Sequence, residues 1–431
     1  FMVRKFIILG MLLVLLPAGR LLSQAKPVFS GDLLKFSTEL SAFMGQGLSE
    51  ENKVILTEFV ARWDSSLFTS ENKERILQIS SKLAEKQMRP SPHFTLFLGA
   101  INYLSEYTTD SRFFNNWLSG LTDLTLKPGI RNETILRYIG NTQLLIKENL
   151  LIKTSSVTWK IKGTNIKFAR DTAFYAVLDK VTLTCYSHRD STEIYNASGK
   201  YYPDLQQFFG SGGLITWEKA GYPQPEVHAV ISDYVIDVTR NSFSCDSALL
   251  THRSWFSEPV RGVLTDQASS IVSLERATYP RFEAYKKQFS IKNLFKGVEY
   301  EGGLLFEGAL VKGKGEKAFP AIISLSRRDT LFINIAANDF VFSVNGINSQ
   351  ETEATIYLGQ DSIYHTNLGF SFNGKSRRVN LFRTNNPVSK SPYYNTFHDV
   401  DMYFENLSWN MDDKNVIISR PMGAAMGQAN F

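Results

Sequence analysis

Cysteine is nearly absent from this chain: Cys185 and Cys245 are the two in 431 residues. One disulfide is the most it can form, so a scaffold built on several bridges is excluded. Both lie in strand-like segments, and export would permit a bridge between them. Spacing does not show whether their Cα atoms come within bonding distance, so one bridge and two buried thiols both stand. Histidine is sparse as well, with six residues, and charge of one sign is missing: 47 Lys and Arg face 42 Asp and Glu. Three of the basic residues, Arg4, Lys5 and Arg20, fall in the first 25 positions, leaving 44 against 42 beyond them. A charged face for nucleic acid has no compositional support, and no nucleic-acid partner is expected. Apolar runs long enough to span a bilayer are also lacking after those positions, so no transmembrane helix is expected once that segment is removed.

What is present begins with Arg4-Lys5, an apolar run from Phe6 to Leu16, and small residues ending Ser23-Gln24-Ala25. This reads as a signal peptide over residues 1–25, with a retained signal anchor as the rival. A hydrophobic fraction of 43% with 21% charged residues marks a folded chain, and 31 Phe with 18 Tyr favour sheets. From 26 to 155 the apolar period is helical. Leu33 to Met44, Val54 to Trp63, Ile76 to Leu83, Phe94 to Tyr107, Phe113 to Leu126 and Asn132 to Leu151 form stripes between polar breaks. Near Val157 the period changes to two, and strands follow to the end, at 156–265 and 266–431. Only Pro280 to Gln288 offers a further helical pattern. Between Leu331 and Arg383 strand pieces recur roughly every 10 to 15 residues, with turns such as Asn345-Gly346.

The fold class expected is therefore α+β: an N-terminal α-helical bundle followed by an extended all-β region. Gly302 to Leu310, Phe332 to Phe342 and Ala354 to Phe372 read as rungs of one design, a β-solenoid or β-jellyroll. Two β-sandwich domains are the alternative. Val416 to Ser419, followed by Pro421-Met-Gly-Ala-Ala-Met-Gly, is an unusual end for a β protein, which a longer natural chain would explain.

No reacting constellation emerges. Gly308-Ala-Leu-Val-Lys-Gly313-Lys314-Gly315 matches a phosphate loop up to Gly315, which stands where a hydroxyl should hold magnesium, and a strand follows in place of a helix. A hairpin accounts for it. Gly210-Ser-Gly212-Gly213 needs only a sheet corner. Asp361 and His365 share a strand face but stand about 13 Å apart along the backbone, too far for a direct dyad. Strand alternation also points His398 away from Asp399 and Asp401. No catalytic residue, metal ligand or cofactor is assigned. Carboxylates such as Glu299, Glu301, Glu307, Asp361 and Asp401 could still pair in space as a glycosidase requires. Tyr201, Tyr202, Trp217, Tyr393, Tyr394 and Tyr403 are candidates for a ligand-stacking surface, with one of each adjacent pair expected in the core.

Several phrases, Met88-Arg-Pro-Ser-Pro-His-Phe94, Tyr279-Pro-Arg-Phe-Glu-Ala-Tyr285, Asn293-Leu-Phe-Lys-Gly-Val-Glu-Tyr-Glu-Gly-Gly303, Asp361-Ser-Ile-Tyr-His365 and His398-Asp-Val-Asp-Met-Tyr-Phe-Glu405, carry a resemblance. They are similar to a family of large, uncharacterised exported cell-envelope proteins of the Bacteroidota, over nearly the whole chain, which resembles that family's amino-terminal part. The resemblance implies compartment and architecture and no catalytic residue. The rung-like phrases also resemble the β-jellyroll domains that carry lipopolysaccharide across the periplasm. The expectation is a non-enzymatic exported scaffold or binding protein, periplasmic or associated with the outer membrane, offering an extended β surface to envelope glycan, lipid or another envelope protein. A carbohydrate-active enzyme on a β scaffold and a lipopolysaccharide-transport-like lipid carrier are the alternatives.

Overall fold

A computed structural model describes residues 28–45, 47–107, 112–269, 273, 276–343, 345–419 and 428–430. The leader at 1–25 and most of the carboxyl-terminal Pro421–Phe431 segment lie outside the described residues.

Six α-helices come first: α1 Phe36–Met44, α2 Glu50–Asp64, α3 Ser70–Glu85, α4 Thr95–Leu104, α5 Phe113–Leu126 and α6 Asn132–Glu148. Ser49 and Thr69 cap α2 and α3 by accepting from Asn52 N and Asn72 N, while α1 starts after Lys35 with no side-chain cap. α6 ends because Asn149 turns left-handed at φ 55°, and the chain enters its first strand, Leu150–Lys153, at once. The helices cover the start of the β region. Phe113 of α5 packs on Phe168 at 4.7 Å, and Tyr138 of α6 on Phe174 at 5.7 Å. Asn141 donates to the Pro203 carbonyl at 2.9 Å, and Arg170 pairs with Asp123. The edge strand Ile166–Arg170 is thus shielded from further pairing.

Beyond them, among the described residues, come 25 strands, all paired antiparallel, with short 3₁₀ turns at Glu218–Ala220 and Pro387–Lys390. Pro280 to Gln288 is no helix. Arg281–Ala284 is a strand, its Phe282 and Ala284 buried and its Arg281 and Glu283 exposed, paired on both sides. Period two prevails there because the segment lies between two long strands that need a partner.

Pairing runs in two series. In the front series residues 166–170 pair with 174–178, then in turn come 199–202, 207–210, 234–237, 242–245, 264–267, 281–284, 305–307, 310–314, 339–343, 346–349, 369–373, 378–382, 406–410 and 416–419. In the back series Leu150–Lys153 begins a parallel succession through Val157–Lys162, Val227–Ile231, Ala321–Arg327 and Thr330–Ala337 to Val400–Tyr403. Long strands, among them Phe174–Ser187, Asp190–Tyr202, Ser242–His252, Gly346–Leu358 and Asp361–Asn373, belong to the front at one end and the back at the other. Each bends between the layers, so the sheet is folded double, with a bent edge on one side and free turns on the other. It is not a closed barrel, since Ile166–Arg170 and Val416–Ser419 each have one partner strand among the described residues.

The bends are visible in burial. Ile347 and Ser349 are buried, then Thr352, Ala354 and Ile356, so the inward face shifts from odd to even numbers across exposed Gln350-Glu351, where the register also slips. The same change falls at Asp179-Lys180, between Leu178 and Val181, and at Asp246-Ser247, between Cys245 and Ala248. A bulge adds the residue that keeps apolar side chains inside as the strand turns the corner.

The two layers hold each other directly. Tyr201 Oη donates to Leu151 O at 2.5 Å and Trp159 Nε1 to Arg240 O at 2.9 Å. Rings fill the interior, with Tyr300 on Phe342 at 5.0 Å and Phe332 on Trp409 at 4.5 Å. The back series has one break, between residues 260–262 and Phe289–Phe295. There Trp255 and Phe256 take the place of strand pairing, packing on Phe306 at 5.9 Å and Phe289 at 5.4 Å.

Gly210-Ser-Gly212-Gly213 forms one of the corners. A Cβ on Gly210 would lie 2.1 Å from the Tyr234 ring, whereas one on Gly212 meets nothing within 4 Å. Gly210→Ala should therefore cost about 1–3 kcal/mol, as overpacking does. Gly212→Ala should fall within about 0.5 kcal/mol of wild type. Denaturant titration of the two variants tests the corner, and equal effects would refute it.

Candidate functional site

Strand alternation distributes the six aromatic candidates. Tyr201, Trp217 and Tyr393 are fully buried. Tyr202 is half-buried between Tyr175 and Phe209, with ring centroids 5.4 and 5.5 Å away. Tyr394 and Tyr403 are exposed and share one face of the neighbouring strands Tyr393–Asn395 and Val400–Tyr403. Tyr394 is tied by its hydroxyl to Asp399. The six form no common surface.

Cys185 and Cys245 are both free and buried. Burial pushes the Cys185 thiol up to about 12, with the nearby Asp266 charge adding to it. Cys245 Sγ donates to Ser232 O at 3.3 Å. Their surroundings include a buried polar network between the layers. Lys219 Nζ donates to Asp190 Oδ2 at 2.6 Å and to Ser191 O at 2.9 Å, and Thr192 donates to Asp266. Burial pushes the Asp266 carboxyl up to about 6, against the Thr192 hydrogen bond and the Lys219 charge.

Two of the six histidines, His252 and His365, are buried. His365 is buried, its Nε2 2.9 Å from Ser391 O while its Nδ1 accepts from Asn367 N. His252 stacks on Trp255 at 4.4 Å, and burial pushes it down to about 4, so it is neutral at physiological pH. Among the described residues no three of His, Cys, Asp and Glu lie close enough to hold a metal ion. Nor, among them, is any helix long and apolar enough to cross a membrane.

A groove of about 840 Å³ lies on the bent edge, where the chain crosses between layers in two loops, 285–288 and 315–320. Cross-strand register builds its floor. Arg281 stands opposite Glu307, Glu283 opposite Leu305, and Leu305 opposite Lys312, which sets these side chains on the outer face. Leu305 is buried at the bottom, 4% exposed. Glu307 accepts ion pairs from Arg281 at 3.5 Å and from Lys312, Glu283 pairs with Lys287 at 3.3 Å, and Lys314 pairs with Asp339. Glu316 and Phe319 exchange two backbone hydrogen bonds of 2.9 Å, closing a turn that leaves the Phe319 ring 65% exposed on the wall.

The phosphate-loop lookalike forms this wall. Leu310–Lys314 is a hairpin strand, and Gly315 is packed so that a Cβ would strike Ala321 N at 2.2 Å. Phe319 was not singled out in the sequence because it lies between strands, where alternation assigns no face. The available signal was a lone aromatic residue in a turn, Glu316-Lys-Ala-Phe319-Pro320, with no second large aliphatic or aromatic side chain beside it. The groove thus offers an aromatic face, an apolar floor and a charged rim, most of it paired.

Comparison with known proteins finds no match: no family model, no curated protein and no solved structure.

Two outcomes follow from the buried groups. A thiol reagent should label neither cysteine in the folded protein and both after denaturation, with the intact mass unchanged by reduction; one thiol labelling in the native state would contradict the burial. For Asp266, an unfolded carboxyl ionises near 3.9. Between that value and about 6 the folded chain keeps a proton that the unfolded chain has released. The contribution is full below about pH 4 and lost as pH rises through about 6, a change of up to about 3 kcal/mol. Asp266→Asn should remove that part of the decline, seen as a narrowing gap between wild-type and variant stability from pH 4 to 7.

Proposed function

We propose that this chain is a non-enzymatic, exported cell-envelope protein that binds glycan on the outside of its folded β sheet, in the groove beside Phe319. The observation that carries the reading is the groove's chemistry. An exposed ring stands over an apolar floor, inside a rim where Arg281, Glu283, Lys287 and Glu307 are engaged in ion pairs and Lys286 lies over the Phe289 ring. A sugar presents an apolar ring face and many hydroxyls; the first suits Phe319 and Leu305, the second the Glu and Lys of the rim. Tyr394 and Tyr403 are a second exposed aromatic pair on the same sheet.

The packed interior supports surface binding over lipid carriage. Trp159, Tyr201, Phe208, Tyr300, Phe340 and Phe370 are fully buried between the layers, occupying the space an acyl chain would take in a jellyroll carrier. The envelope address, periplasmic or at the outer membrane, rests on the leader pattern and on the phrases shared with exported Bacteroidota proteins; lipid or another envelope protein remain the other partners this surface would suit.

The enzyme reading keeps one specific observation: Glu283 and Glu307 lie on adjacent strands in the same groove, two residues out of register. Both are already engaged by cations, which favours holding a ligand over protonating it. Titration with soluble envelope oligosaccharides and sedimentation with isolated cell-wall sacculi test the proposal. Phe319→Ala should weaken binding about tenfold, about 1.4 kcal/mol. Unchanged binding would remove the groove from the function. Hydrolysis of an oligosaccharide, lost in Glu283→Gln or Glu307→Gln, would establish the enzyme instead.

A further inference from the structure

Opposite the bend, the free turns of the two layers meet. The front turn at 374–377 and the back turn at 296–297 are joined by Arg377 Nη1 donating to Lys296 O at 2.5 Å, with Met411 N donating to Arg377 O at 3.0 Å. Ser326 N donates to Gly297 O at 2.9 Å, bringing the Arg327-Arg328 turn alongside. These turns enclose a cavity of about 680 Å³, which Lys414 closes from the last of them. Backbone hydrogen bonds fix neighbouring turns within each layer, and the Arg377 side chain ties the two layers together.

Its lining carries an excess of cations. Lys296, Arg327, Arg328, Arg377 and Lys414 line it, against Glu299, Asp329 and Asp412. Asp412 is held by Arg377 Nε, 3.2 Å to each carboxylate oxygen, and Arg327 lies 6.0 Å over the Phe332 ring. Among the described residues the side chains of Lys296, Arg328 and Lys414 have no ion-pair partner, in contrast to the basic residues Arg281, Lys287, Lys312 and Lys314 at the glycan groove. Ser326-Arg-Arg and Ser376-Arg-Arg put the same phrase at two of the meeting turns.

We propose that this cavity is a binding site for a phosphoryl group, a site distinct from the Phe319 groove and independent of the glycan reading. The lining has two more cations than acids, which matches the charge of about −1.5 to −2 on a phosphate monoester. Guanidinium and ammonium donors arriving from three turns suit a tetrahedral oxyanion, whose oxygens point in several directions, better than a planar carboxylate. A soluble phosphate and one borne by a lipid headgroup share this chemistry, and the test separates the two sources.

The full chain is titrated with glucose 1-phosphate, inorganic phosphate and glucuronate, and with phosphatidylcholine vesicles with and without phosphatidic acid. Saturable binding of phosphate or its monoester is expected, weakened at least tenfold in the double variant Arg328→Ala, Lys414→Ala. Neither side chain holds the turns together, so the variant's melting curve should overlay wild type. Lys160→Ala, an exposed cation elsewhere, and Phe319→Ala should bind phosphate as wild type does. Binding to vesicles alone, lost in the double variant, would support the site and identify the source as lipid. No saturable binding, equal loss in Lys160→Ala, or glucuronate bound as tightly as phosphate would overturn it.

Discussion

The structure depends on strands that change layer without ending. A 13-residue strand such as Gly346–Leu358 has its front half in one sheet and its back half in the other. A regular strand would turn its apolar set outward past the corner, because alternation fixes which residues face in. The bulges at Asp179-Lys180, Asp246-Ser247 and Gln350-Glu351 insert the residue that restores it. Each polar pair costs local ladder bonds but lets both halves contribute to one core. The core is continuous from Phe36 in α1 to Trp409 near the far end.

Where the chain crosses between layers in a loop instead of a bulged strand, the surface gains relief. Residues 285–288 and 315–320 are such crossings, and they stand beside the one break in back-layer pairing. The break is tolerable because Trp255 stacks on His252 and packs against Phe306 and Phe342, substituting aromatic contact for backbone hydrogen bonds. Freed from the ladder, the loops rise and wall the groove. The same departure from regularity creates the concavity and exposes Phe319.

Much of the architecture was legible in the sequence, for reasons that can be named. α5, Phe113–Leu126, coincides with its apolar stripe because Phe113, Trp117, Leu118 and Leu121 repeat at helical spacing and all are buried. The change to period two near Val157 marks the β region equally well. Pro280 to Gln288 misled because a four-residue strand next to Tyr285-Lys-Lys-Gln is too short for its alternation to outweigh a helical pattern. The site was less legible. Alternation tells that one of Tyr201 and Tyr202, and one of Tyr393 and Tyr394, faces inward, but which one depends on where the preceding bulge falls. Trp217 follows a strand and continues its inward face two residues after buried Ile215, at the start of a 3₁₀ turn. The meeting of turns 81 residues apart, Lys296 with Arg377, is purely tertiary.

A sheet folded double has two kinds of edge, and their chemistry differs for a physical reason. At the bend, neighbouring strands run side by side in fixed register, so opposite charges such as Arg281 and Glu307 fall across from one another and neutralise. At the free turns no ladder sets the pairing. Tight turns favour polar residues that reach solvent, and cations there can stand unpaired at little cost because water solvates them. Stacking the turns of the two layers then gathers such cations, Lys296, Arg328 and Lys414 among them, around one cavity. The two edges of one fold therefore present different chemistry, cross-strand ion pairs set by register at the bend and cations without ion-pair partners at the turns.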